Sequence, residues 1–481
     1  MPKVADIFNV PLGLINRNYK DGSSLPEYRT EFMRDRDRLM YATAFRRLAG
    51  KTQIYTVGRD DHKKNRLTHT LEVAQIARTI AIALGLNPDL AESIALAHDF
   101  GHTPFGHAGE KMLHDIMIPK AEIVKESPFY QKDYLSIKKR FERENPEKQY
   151  CLDYAFGFKH NLQSVRVTAL LEDSYRGAEN ENIGLNLCNF TLYGMMIHSA
   201  LKYNQEDQYP NFQNQFKQQL MLAGSTVYAW SFEAYIVKWA DDIAQWHHDL
   251  EDAMREGVLP IKKICNTIQE SLDERLTDID RNKLNDIQDA TLMDRRCIAE
   301  LSHIVVNTLV NDVVNEASKN FDILKKELDG LNINSSEEFF VKVDTLGLSI
   351  KKENVITVSD KIKPEKFKGI IRGAIHHSRN VERMNEKGKY IIRKLFEAYR
   401  AHPQQLPDGP ILHLLVETGS IKHKNIDEAK KAGVGEARVL FEEIMKNPTI
   451  YFDCMLMRRI CDHIASMTDH YAIEEYNNLY G

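Results

Sequence analysis

The chain has 481 residues, 43% of them hydrophobic, a net charge of -5 and 6 cysteines. That apolar content can bury a sizeable core, and the mildly acidic balance excludes a strongly basic nucleic-acid-binding domain while allowing a local basic patch. No run of about 18 apolar residues occurs, so no membrane span is expected. Met1 to Val10 hold Asp6 and no long apolar run, so no secretory leader is expected. Cys151, Cys188, Cys265, Cys297, Cys454 and Cys461 form no Cys-x-x-Cys pair. They read as reduced thiols of an intracellular, cytoplasmic protein, and a thiolate zinc site is not expected.

Along the chain the pattern is almost entirely helical. Residues 28–57 are rich in Arg and Asp, with Phe32, Leu39, Phe45 and Leu48 at helical spacing. From Arg66 to Gly85, Leu71, Ala74, Ala77, Ile80, Ala81 and Leu84 make an i, i+3, i+4 stripe, and Gly85 sits where a helix C-terminus favours glycine. Asn87-Pro88 opens the next helix, which carries Leu90, Ile94 and Leu96 into His98-Asp99. Gly101 and Pro104 break it, and another helix is expected from near Pro104 through His107 and Glu110. The Lys/Glu-rich stretch 120–150 reads as a solvated insertion. Helix is predicted over 160–175, an irregular excursion over 180–215 with a helix at 189–203, and a strong helix over 226–255. One or two long amphipathic helices are predicted over 261–330. Phe339-Phe340-Val341-Lys342-Val343 and Val355-Ile356-Thr357-Val358 predict a small two-stranded β element. Helices resume near 364. The expected organisation is an N-terminal segment 1–60, a core over 61–260 and a C-terminal helical region over 261–481.

The chemistry gathers around the adjacent His98 and Asp99. Burying an imidazole and a carboxylate without partners costs several kcal/mol, and a divalent cation offsets that cost. His69 lies on the preceding helix and Asp241 in Ala240-Asp241-Asp242-Ile243-Ala244. Two imidazoles and two carboxylates suit a borderline or hard divalent ion with open positions for water and substrate; Mn, Mg, Fe, Co, Ni and Zn all fit. Asp242 competes for the last place, because adjacent helical residues point about 100° apart and only one can face the ion. His107 and Glu110 are spaced i, i+3, so the carboxylate can fix the ring tautomer and make His107 a candidate general acid. His102 and His160 are further imidazoles nearby. Arg66, one turn before His69, suits bidentate contact with phosphate oxygens. Neither a P-loop nor a Gly-x-Gly-x-x-Gly fingerprint is present, so phosphate would be handled by metal and cations.

Longer words extend this set. They are Arg29-Thr30-Glu31-Phe32, Arg34 to Arg38, Phe45 to Gln53, Asn65 to Val73, His98 to His107, Ala240 to Ala244, His248 to Ala253, and Asp462 to Asp469. With these words the chain resembles the HD-domain phosphohydrolases, and among them the dGTPase-like deoxynucleoside triphosphate triphosphohydrolases. The resemblance implies a mainly α HD-domain fold with helical insertions, assembled as a homo-oligomer with a hexamer favoured. It implies hydrolysis of dGTP or other dNTPs to deoxynucleoside and inorganic triphosphate. By motif position, His69, His98, Asp99 and Asp241 match the metal ligands, while His107, Glu110 and His160 match the catalytic group. Gln53 and Asp249 match sugar contacts; Arg66 and Lys202 match phosphate contacts; His102 and Asn161 are further candidates at the substrate. Family members often carry Tyr where this chain has Gln245, which puts ring-based discrimination against ribose in doubt. The resemblance also brings single-stranded DNA or a second, allosteric dNTP as partners. The competing readings are another phosphohydrolase of the superfamily, such as a 5′-nucleotidase or phosphodiesterase, and a helical oligomer that binds nucleotide or single-stranded DNA with a silent site.

Overall fold

Side-chain caps set the helix that carries Arg66 and His69 and the helix that leads into His98-Asp99. Asn65 accepts from Thr68 N at the start of the Arg66–Leu84 helix, and Asn65 N–H donates back to Thr68 Oγ1, closing a capping box. Gly85 ends that helix at φ 76°. Asn87 caps the Pro88–Ala97 helix, with Pro88 in its first turn. The structure, a computed structural model, describes residues 6–19, 26–53, 64–117, 143, 157–197, 216–288, 295–423 and 425–481. The insertion expected at 120–150 lies, but for Arg143, outside the described residues, as does Lys202.

The Arg66–Leu84 and Pro88–Ala97 helices pack on a long helix, Phe232–Arg255. Ala77, Ile80, Leu90, Ile94, Ile236 and Val237 are buried in the largest apolar core, which extends through Ile304, Val305 and Leu309 of the Arg295–Gly330 helix. Three helices, Ile261–Leu272, Asp278–Gln288 and Arg295–Gly330, occupy the region where one or two were expected. Arg295–Gly330 is the one described helix long and apolar enough, by length and composition, to cross a bilayer; 50% of its most apolar window is buried inside the fold.

A second apolar core joins the Gly106–Met117 helix to the C-terminal region. Met112, Leu113 and Ile116 meet Ile392 and Leu395 of the Arg379–Ala401 helix, and Ile460 and Ile464 of the Ile450–Ser466 helix. In the loop after His98-Asp99, Phe105 belongs to this second core and Phe100 to a third, smaller one with Leu48, Leu162 and Val165.

The expected β element is absent. Ser335 caps a helix over Ser336–Lys342 by accepting from Glu338 N. Phe339, Phe340 and Val343 are buried while Val341 is exposed, which is helical spacing that the β-branched composition concealed. Packing decides the conformation: Phe340 stacks on Trp230 at 4.6 Å and Phe339 meets Phe8 at 5.5 Å. Among the described residues only isolated β-bridges occur.

Glu233, in the first turn of the Phe232–Arg255 helix, is fully buried and accepts from Asn87 N at 3.0 Å. Burial pushes its carboxyl up to about 7. The folded pKa exceeds the unfolded one, so an ionisation penalty grows as pH rises from about 4.5 and is complete above about 7. Glu233→Gln should therefore raise stability by about 1–3 kcal/mol near pH 8, with the gain fading towards pH ~4.5. Urea unfolding at both pH values measures this, and an equal loss at both would contradict the burial cost.

Candidate active site

The Pro88–Ala97 helix ends immediately before the doublet, so His98 and Asp99 stand at the mouth of a loop and not inside a helix. Gly101 allows this loop to touch the His160–Arg166 helix, since a Cβ there would lie 2.1 Å from His160 O. The loop closes through Phe105, at φ 63°, and the next helix begins at Gly106, two residues later than the proline suggested.

Four side chains converge at this mouth. His69 Nε2 lies 3.0 Å from Asp241 Oδ1, His98 Nε2 is 3.9 Å from the same oxygen, and His98 Nε2 is 3.4 Å from Asp99 Oδ1. Neighbouring ligands around a cation with ~2.1 Å bonds stand roughly 3–3.5 Å apart; His69, His98 and Asp99 lie close enough together to share a divalent ion, and Asp241 meets the group through His69. The outer contacts fit as well. His98 Nδ1 donates to Ala95 O at 2.6 Å, which leaves the Nε2 lone pair facing the other three groups. Asp99 Oδ2 is held by Arg66 Nη1 at 2.6 Å and Oδ1 lies 3.2 Å from His102 Nε2. Burial alone would raise the Asp99 pKa, yet His98, His102 and Arg66 hold it well below the carboxylate range. Asp242 turns away to Lys368, 3.1 Å distant, which resolves the choice between the adjacent aspartates in favour of Asp241 facing the cluster.

Beside this cluster, Glu110 binds two imidazoles through one oxygen. His107 Nδ1 lies 3.1 Å and His160 Nδ1 2.9 Å from Glu110 Oε2, and Lys159 reaches Oε1. Burial opposes the Glu110 charge, but His160 and the two ring N–H groups keep its pKa well below normal. His102 stacks on the His160 ring at 3.8 Å, so one column of imidazoles leads from Glu110 to Asp99. His107 is the exposed member, its side chain 62% accessible. Asn161 is fully buried beside His160.

His107 opens on a cavity of about 190 Å³. Gln53 and Gln245 share a wall of it, with Gln53 Nε2 donating to Gln245 Oε1 at 3.4 Å and Gln245 Nε2 to Asp249 Oδ1 at 3.0 Å. Asp249 is buried, and burial pushes its carboxyl up to about 6 against the pull of Arg372 and Gln245. The other wall carries Arg372, His376, Asn385 and Lys389, none of them singled out from the sequence. Their i, i+4 spacing (368, 372, 376) in a cationic stretch was the available signal. Arg372 closes a π-helical turn, Lys368–Arg372, that directs Lys368 to Asp242 and Arg372 towards Asp249.

The C-terminal region reaches the loop directly through Asp469 and, by way of Lys51, through Ala465, a role the sequence did not suggest for its residues. Asp469 accepts from Phe105 N at 2.9 Å, from Thr52 N at 3.0 Å and from the Thr52 hydroxyl. The buried Lys51 ammonium donates to His102 O and, at 2.9 Å, to Ala465 O. Burial lowers its pKa to about 7. Farther back, Asp462 holds Arg166 at 2.8 Å and accepts from Gln163 Nε2 at 2.9 Å.

A helical core that presents a His-Asp doublet, a further His and a further Asp to one point defines an HD-domain phosphohydrolase. Residues 66–170 match the HD domain, and residues 437–478, which include Asp462 and Asp469, match the phosphohydrolase-associated domain. Over 469 residues the chain is 30% identical to a deoxyguanosinetriphosphate triphosphohydrolase-like protein of Azoarcus sp. (strain BH72), covering 97% of this chain and 94% of that one. The like-named protein of Syntrophus aciditrophicus (strain SB) is 31% identical over 464 residues, 95% of this chain and 89% of its own. The chain belongs to the family of deoxyguanosinetriphosphate triphosphohydrolase-like proteins.

Asp469→Ala would strand the buried N–H groups of Thr52 and Phe105, an expected cost of about 2–4 kcal/mol. Urea unfolding measures this, and a change below about 0.5 kcal/mol would remove the clamp from the account.

Proposed function

We propose that the chain hydrolyses deoxynucleoside triphosphates at the α-phosphate, giving a deoxynucleoside and inorganic triphosphate. The observation that carries this reading is the convergence of His69, His98, Asp99 and Asp241 beside the Glu110-bound pair His107 and His160, next to a cavity with cationic side chains. The family membership supports the substrate class, because its relatives are named for deoxyguanosine triphosphate.

In this reading His69, His98, Asp99 and Asp241 hold a divalent cation. When bound, that ion polarises the α-phosphate and acidifies a water ligand. Arg66 fixes Asp99 by occupying its outer oxygen, and its buried guanidinium adds positive charge behind the site where phosphate would bind. Glu110 accepts from His107 Nδ1 and so supports the imidazolium form, whose Nε2–H is the proton given to the departing 5′ oxygen, leaving the ring neutral. That oxygen would otherwise leave as a strongly basic alkoxide. His160, tied to the same Glu110 oxygen, orients the attacking water, and His102 supports its ring by stacking. Arg372 and Lys389 receive the phosphate chain with Lys202 as a further cation, while Gln53, Gln245 and Asp249 address the sugar. Asn161 is fully buried and does not line the cavity.

Chelation should abolish turnover, and added Mn, Mg, Fe, Co, Ni or Zn should restore it to different extents. Chromatography of the products should show triphosphate and deoxynucleoside; pyrophosphate or free phosphate would point to another reaction. His107→Ala should keep its metal content and lose roughly 10²–10⁴-fold in kcat. Near-normal turnover in that variant, with metal measured by elemental analysis, would remove His107 from the proton-donor role.

A further inference from the structure

A second cavity, of about 330 Å³, shares no lining residue with the one at His107. It lies between the short Thr43–Arg47 helix, the π-helical turn Val167–Leu171, and the C-terminal helices Asp408–Glu417 and Ile450–Ser466. Its polar lining is Arg47, Arg459, His413 and His463, with Thr43, Ser466 and the carboxylates Glu172, Asp173 and Asp462. Val167, Leu171 and Pro410 form an apolar wall.

The carboxylates around it are already engaged. Asp462 is held by Arg166 and Gln163, Glu172 accepts from Thr43 N and Ala44 N, and Asp173 pairs with Arg176. Arg459 is bound through one terminal nitrogen to Glu417 at 2.6 Å, while its Nε is buried without a hydrogen-bond partner among the described residues. His463 Nε2 is likewise buried without one. Arg47 has no acidic partner among the described residues and is exposed at the cavity. Burial and the Arg47 charge lower the His463 pKa to about 4, and burial with Arg459 keeps His413 well below its usual value, so both rings are neutral near pH 7. What remains uncommitted is one guanidinium, two neutral imidazoles and a hydrophobic wall.

We propose that this cavity binds a small phosphate monoester, its phosphate on Arg47 with His413 beside it and its organic part against Val167, Leu171 and Pro410. Guanidinium groups bind phosphate oxygens in pairs, and neutral imidazoles add donors without needing protonation. The volume is that of a small-ligand pocket with few convergent polar groups. The cavity shares Arg47, Val167, Asp462 and Ser466 with a narrower crevice that ends on Lys51 and Gly101. The proposal does not depend on which nucleotide the first site hydrolyses.

The probe is phenyl phosphate, with phenol as the uncharged control. Acylation of His413 by diethyl pyrocarbonate, read by peptide mass spectrometry on the full chain, reports occupancy, and labelling of His107 reports binding in the other cavity. Phenyl phosphate should protect His413 and phenol should not. Arg47→Ala, on an exposed residue, should weaken that protection at least about tenfold, and Arg47→Lys should retain part of it. Failure of phenyl phosphate to protect His413, or protection unchanged in Arg47→Ala with an unaltered urea midpoint, would overturn the assignment. Protection confined to His107 would also overturn it.

Discussion

Asp99 is a buried carboxylate divided between two sets of neighbours. One oxygen is bound by Arg66, and the other faces His98 and His102. A carboxylate removed from water in this way is stable only if both oxygens are answered, since an unpaired buried charge costs several kcal/mol. Arg66 supplies fixed positive charge from one side. The other side is left to the imidazoles and to whatever cation they admit. The rest of the centre follows from this division: Arg66 and His69 are one turn apart on a single capped helix, and the doublet follows the next helix with no residue between.

The loop that carries Asp99 is held locally by Ser164, which accepts from Gly101 N and donates to His98 O, and by two residues from the ends of the chain. Lys51 binds His102 O and Asp469 accepts from Phe105 N, while Thr52 and Ala465 tie these two in place. The phosphohydrolase-associated segment is therefore part of the centre's scaffold, although none of its residues is among the four that converge. The buried Arg166–Asp462 pair anchors the same segment behind the loop.

The sequence made the helices around the doublet legible because their signals are local. Gly85 and Asn87-Pro88 mark helix ends by cap chemistry, and they fall where the structure ends one helix and begins the next. The i, i+3 spacing of His107 and Glu110 translated directly into a 3.1 Å contact. The segment 339–343 was misread because β-branched and aromatic residues favour strands on average, whereas here an aromatic cluster with Trp230 and Phe8 decided the matter. Lys51, Arg372 and Asp469 were missed for a different reason. Each acts through contacts across the fold, with Asp469 lying 417 positions from Thr52, and no local spacing encodes such a meeting. The Asp241 and Asp242 choice was undecidable from helical geometry alone because the residue that separates them, Lys368, arrives from a distant turn.

The link from Thr52 to Asp469 also bears on biosynthesis. A ribosome emits the doublet and its helices early, yet the hydrogen bonds that shape their loop await residues made near the end of translation. Loop closure over such a distance is slow and comes late in folding. A nascent chain would thus carry its ligands without a finished pocket, and a product cut short before the last helix would share that defect.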